Sequence, residues 1–96
     1  MWILRTTDDP EPLTFRLLPG SVKTIGRAPR ADFIVDRPLV SRLHCRLTMD
    51  AGGAVVLEDL ESTNGTFLNG TRVTRTAVAP GDLIRLGRIE LTAERG

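Results

Sequence analysis

The segment RPLVSRLHCRL holds Ser41 and His44 three residues apart, and a hydroxyl near an imidazole is the pairing that nucleophilic catalysis uses. In an extended segment, however, positions three apart point to opposite faces, which disposes these two poorly as nucleophile and base. No acid partner or oxyanion-type loop can be identified to go with them. Two other clusters offer binding chemistry. In TIGRAPRAD, Gly26 frees the backbone to turn and Arg27 follows at once, a five-donor fork suited to phosphate or carboxylate. An isolated Gly-Arg reads more simply as a solvated arginine, as the second copy, Gly87-Arg88 in a hairpin turn, illustrates. In LESTNGTFLNG, Ser62, Thr63 and Asn64 put two hydroxyls and an amide in a row, able to bond peptide backbone or an anion. Ser41 reads either as a turn residue at a strand entry or as a hydroxyl donor to an anion, with Arg42 adding a second charge. His44 reads as structural, its ring nitrogens bonded to backbone in the loop that ends at Ser41.

Strands must position these residues. No segment of helical length carries the i, i+3, i+4 apolar pattern, and Gly or Pro interrupts the chain too often for long helices. Candidate strands are Trp2–Arg5, Leu13–Leu18, Val22–Ile25, Phe33–Val35, Leu43–Met49, Val55–Asp59, Thr66–Leu68, Thr71–Val73, Leu83–Leu86 and Ile89–Thr92, separated by turn residues. The clearest is LHCRLTM, where Leu43, Cys45, Leu47 and Met49 alternate with His44, Arg46 and Thr48. Cys45 then faces the core as a small buried hydrophobe. Asn64-Gly65 and Asn69-Gly70 each carry the signal for a tight type I′ turn. Many short strands predict an all-β sandwich of two sheets.

The 96 residues make one domain, 1–96, with a small core. Composition, 41% hydrophobic and 26% charged, is that of a globular chain with no apolar run long enough to span a bilayer. The N-terminus does not read as a signal peptide, so a cytoplasmic setting is expected. With one Cys and one His, no set of soft ligands for zinc exists, and neither a metal nor a cofactor is expected. Twelve arginines and one lysine are offset by twelve acids for a net charge of +1, which argues against a nucleic-acid partner.

Each motif alone is weak, but their order and spacing together resemble the forkhead-associated domain family. The resemblance rests on GR at 26–27, SRLH at 41–44, STNGT at 62–66 and NG at 69–70, with DFIV after the arginine and GDLIRLG near the end. It covers about Val22 to Thr92 and implies a β-sandwich of about eleven strands whose loops at one end bind phosphothreonine in a partner protein. Carried onto this chain, the resemblance implies that Arg27 and Ser41 contact the phosphate, with Arg42 and Thr63 assisting. Asn64 would hold the peptide backbone, and Gly26, His44, Gly65, Asn69 and Gly70 would shape the site, with the second Asn-Gly turn bracing the STNG loop from behind. Leu39, two before Ser41, would meet the residue three positions after the phosphothreonine and favour an apolar side chain there.

The expected function is therefore non-catalytic reading of a mark written by a Ser/Thr kinase, by a monomer with no membrane or nucleic-acid partner. The alternative is a phosphate-independent interaction or dimerisation domain on the same fold. A bare domain of this size usually belongs to a longer protein. One expectation conflicts with the resemblance: counted as a simple up-and-down meander, the strands place Arg27 at the opposite end from Ser41 and Asn64. A segment as short as FIV, roughly 10 Å at about 3.3 Å per residue, could let the long Arg27 side chain reach across.

Overall fold

In CRLTM, Cys45, Leu47 and Met49 are buried while Arg46 and Thr48 face outward, and the same period-two pattern recurs in Trp2–Thr6, Val55–Asp59, Leu83–Leu86 and Ile89–Arg95. The computed structural model describes every residue except Asp8. Its strands in chain order are β1 (Trp2–Thr6), β2 (Thr14–Leu17), β3 (Val22–Gly26), β4 (Phe33–Ile34), β5 (Cys45–Met49), β6 (Val55–Asp59), β7 (Thr66–Leu68), β8 (Thr71–Val73), β9 (Arg75–Val78), β10 (Leu83–Leu86) and β11 (Ile89–Arg95). They form two sheets, ordered β2-β1-β11-β10-β7-β8 and β4-β3-β5-β6-β9. The inward sides meet in one core containing Trp2, Leu4, Ile25, Leu47, Leu57, Ile84, Leu86 and Leu91. At one flank the two edge strands β2 and β4 are joined by Phe15 stacked on Phe33, ring centroids 4.7 Å apart. No helix among the described residues is long and apolar enough to cross a membrane.

The meander expectation is overturned by β4. This two-residue strand pairs with β3 in parallel, Ile25 with Phe33 and Gly26 with Ile34, and does not run back down the sheet. The chain reverses direction only at β5, which pairs antiparallel with β3. Arg27, following β3, and Ser41, preceding β5, therefore share one end of the sandwich, and no long reach is needed. Cys45 pairs with Asp59, so the segment after β6 emerges at that end too.

Three local expectations change. First, β5 starts at Cys45, and the preceding Leu43 and His44 lie in loop, with His44 fully buried and not turned outward by strand alternation. Second, β9 was absent from the candidate strands. Its residues RTAV bury only Val78, so it carries no alternating signal, and Thr74 alone separates it from β8 in the other sheet. Third, the two Asn-Gly pairs differ. Asn69 and Gly70 both have positive φ, 49° and 84°, and close the two-residue β7–β8 hairpin. In the first pair Gly65 alone has positive φ, so Asn64-Gly65 makes no type I′ turn.

Candidate functional site

Loop segments gather at the end where β3 finishes: residues 9–13, 27–32, 35–44 and 60–65, with the tight turn at 87–88. Between them lies a concavity of about 550 Å³ lined by Arg27, Asp36, Arg37, Pro38, Leu39, Val40, Ser41, Thr63 and Asn64. Main-chain bonds fix its frame. Arg27 N–H donates to the Ser41 carbonyl (3.0 Å), Ala28 N–H to that of Arg42 (3.1 Å), and Val35 N–H to that of Gly26 (2.8 Å). Gly26 lies beneath this crossing, where a Cβ would stand 1.9 Å from the Arg42 carbonyl oxygen.

His44 ties two of the loops together. Its Nδ1 accepts the Ser41 main-chain N–H (3.0 Å), which leaves Nε2 to donate to the Gly65 carbonyl (2.8 Å). Both ring nitrogens are thus spent on backbone, and neither is bonded to the Ser41 hydroxyl. That oxygen accepts the Thr63 N–H (3.1 Å), and among the described residues its hydroxyl proton has no acceptor. Arg27 is oriented in the same way: Nε donates to the Val40 carbonyl (3.1 Å), the residue lines the concavity, and among the described residues its two terminal nitrogens make no hydrogen bond.

Leu39 has φ 70°, a left-handed conformation that a bulky residue holds only when its surroundings impose it. The Asn64 Nδ2 donates to its carbonyl (3.0 Å), and Gly87 packs beneath, where a Cβ would lie 3.0 Å from Leu39. Among the described residues, Asn64 Oδ1 and its second N–H have no partner. Arg37 is already engaged: Nε and Nη2 grip the two carboxylate oxygens of Asp9, each at 3.0 Å, and Nη2 also donates to the Glu11 carbonyl (2.9 Å). This pair holds the Asp9 carboxyl below the usual carboxylate range.

Behind the 60–65 loop, Asp59 Oδ1 accepts the hydroxyls of Ser62 (2.5 Å) and Thr66 (2.7 Å), and Ser62 Oγ in turn accepts the Gly65 N–H (3.0 Å). Partial burial alone would raise the Asp59 pKa, but the bonds from Ser62 and Thr66 outweigh it and hold the carboxyl below its ordinary value. A depressed carboxylate contributes stability in full above its unfolded value, about 3.9, and loses it as pH falls through the folded value. Asp59→Asn should therefore destabilise the fold by about 1–3 kcal/mol at neutral pH, since the Ser62 and Thr66 hydroxyls exchange a charged acceptor for a neutral one and the Ser62 N–H, which donates to Oδ2 (3.2 Å), would face an amide donor. Urea titrations should show the gap to the parent protein closing below about pH 4; a gap constant from pH 7 to pH 3 would refute this role.

Of the residues singled out from sequence, Arg27, Leu39, Ser41, Thr63 and Asn64 line the concavity. Gly26, His44 and Gly65 lie beneath it. Arg42 stands on the far side of Arg27, lining a second concavity. Asn69 and Gly70 are not brought to the site. They sit at the other end of β7, where Asn69 bonds Leu83 N–H through Oδ1 (2.9 Å) and Asp82 through Nδ2 (2.9 Å), so they pin a hairpin to β10 and make no direct brace for the STNG loop. Sequence reasoning missed Asp59 and Gly87. The acid three before Ser62 was a readable hint for Asp59, whereas Gly87 looked like any hairpin glycine.

A model of the FHA domain family matches residues 23–87. The FHA domain-containing protein FhaA of Mycobacterium tuberculosis is 42% identical over 84 residues, which is 88% of this chain and 16% of FhaA. The chain thus spans a small part of that relative's length. Among solved structures, the FhaA FHA domain complexed with the intracellular domain of Rv3910 superposes with a TM-score of 0.89 at 37% identity, covering 98% of this chain and 100% of the other. Another, from a structural and functional analysis of phosphothreonine-dependent FHA domain interactions, gives a TM-score of 0.90 at 37% identity, with 99% and 96% covered.

Proposed function

Because the chain belongs to the forkhead-associated (FHA) domain family, we propose that it reads phosphothreonine in a partner protein through the concavity between its loops. The observation that carries this reading is the preset donor pair: Arg27 aimed by the Val40 carbonyl, and the Ser41 hydroxyl aimed by the Thr63 N–H. Donors fixed before the ligand arrives cost little reorganisation on binding, and a phosphate dianion satisfies both. The Thr63 hydroxyl adds a third donor and Arg42 further positive charge, while Asn64 bonds the peptide backbone beside the phosphothreonine.

Leu39 meets the residue three positions after the phosphothreonine and favours an apolar side chain there, since Arg37 is held by Asp9 and Asp36 repels an acid. On this reading the module is non-catalytic, which is supported by both ring nitrogens of His44 being bonded to backbone and not to the Ser41 hydroxyl. The reading extends to a monomer acting in the cytoplasm on the product of a Ser/Thr kinase, with neither nucleic acid nor membrane as partner.

Calorimetric titration with matched peptides tests it. A phosphothreonine peptide should bind and its unphosphorylated twin should not; equal binding of the two would favour a phosphate-independent interaction domain. Phosphoserine should bind several-fold more weakly than phosphothreonine, since burying one γ-methyl is worth about 0.8 kcal/mol or more. Equal affinity would remove the methyl contact.

A further inference from the structure

The guanidinium of Arg27 is a wall shared by two concavities. On its far side lies a second one of about 620 Å³, lined by Arg27, Ala28, Pro29, Arg30 and Arg42, with three arginines and no carboxylate. Its backbone is fixed. Pro29 presets φ at the second position of a turn closed by the Ala31 N–H on the Ala28 carbonyl (3.0 Å), and Ala31 is buried as an anchor. The Ala28 N–H in turn bonds the Arg42 carbonyl. Arg30 therefore projects from the turn's third position, beside the segment that carries Arg42.

The nearby acid Asp32 is turned to Thr24, bonding its N–H (2.9 Å) and hydroxyl (3.2 Å), and supplies no countercharge in the pocket wall. The two ion pairs among the described residues, Arg37 with Asp9 and Arg46 with Glu58, involve none of the three arginines. Three like charges on one rigid wall, in a protein of net charge +1, repel one another and focus a positive field on the Ala and Pro floor. An anion relieves that repulsion.

We infer that this second concavity binds a second phosphate of the same peptide ligand, so that the domain prefers doubly phosphorylated sequences. The inference rests on the phosphothreonine reading above. Because Arg27 faces both concavities, a ligand phosphate seated on one side places neighbouring residues near the other. In an extended peptide, residues two to four positions away lie about 7–13 Å off, within reach of Arg30 and Arg42.

The test is fluorescence anisotropy at about 0.15 M salt, where the Debye length of about 8 Å leaves charges sharing one pocket only partly screened from each other. One peptide carries phosphothreonine alone; a series adds phosphoserine one to four residues before or after it. At least one spacing should bind tenfold or more tighter than the parent. Arg30→Ala should erase that gain and leave the singly phosphorylated peptide within about twofold of its original affinity. The inference is overturned if no spacing gains more than threefold, or if the gain survives in Arg30→Ala. Failure of the singly phosphorylated peptide to bind would instead strike the phosphothreonine reading, and this inference with it.

Discussion

Arg27→Ala is expected to lower affinity for a phosphothreonine peptide by at least thirty-fold while the sandwich stays intact. Truncating one partner of a charge pair desolvated in a complex costs about 2–5 kcal/mol, and every 1.4 kcal/mol is tenfold. The fold should not suffer, because Arg27 is exposed and, among the described residues, its side chain bonds only the Val40 carbonyl. Titration calorimetry paired with a thermal melt separates the two effects. Arg27→Lys is the sharper probe: it keeps the charge but loses the planar fork and the Nε anchor, so recovery should be partial. Full affinity in Arg27→Ala would remove the phosphate from this concavity.

The largest expected effect on stability comes from Gly26→Ala. A Cβ there would lie 1.9 Å from the Arg42 carbonyl oxygen, 2.7 Å from its carbon and 2.9 Å from the Leu43 Cα, all of them main-chain atoms without a rotamer to give way. Relief requires separating β3 from the segment that carries Arg42, which would break the Ala28 N–H bond to the same carbonyl and disturb the His44 N–H bond to Ile25. Overpacking of this kind exceeds the usual 1–3 kcal/mol and should cost about 4 kcal/mol or more, a large share of a small domain's stability. Urea denaturation should show a much lower midpoint or no folded baseline. Gly52→Ala is the control: it meets only the Asp50 Oδ1 at 3.4 Å and should change stability by no more than about 0.5 kcal/mol. Equal midpoints for the two variants would mean the crossing at Gly26 is looser than described.

These two glycines show how unevenly the sequence speaks. Gly26 closes β3 and Gly52 lies in the turn between β5 and β6, yet as a letter in the sequence a glycine under a backbone crossing looks the same as one in an open turn. The strands themselves were legible wherever one face is buried, because burial writes a period of two into the chain. Cys45, Leu47 and Met49 carry it, and so do Val55 and Leu57. Arg75–Val78 does not, since it is an edge strand that buries Val78 alone, and with Thr74 its only separation from β8, the text TRVTRTAV reads as one segment.

What the sequence determined by itself was the chemistry: a forked cation at Arg27, hydroxyls at Ser41 and Thr63, an amide at Asn64, and enough alternation to demand a two-sheet sandwich. Tertiary structure decided where that chemistry points. The parallel pairing of two-residue β4 put Arg27 and Ser41 at one end, and a pairing that short leaves no periodic trace. It also separated the two Asn-Gly pairs, since a Gly65 carbonyl held by His44 and an Asn69 side chain held by Leu83 and Asp82 are long-range bonds that no local pattern records. Finally it set Arg42 and Arg30 on the far wall of Arg27. Side-chain type is written residue by residue, whereas direction is fixed by contacts between residues distant in the chain.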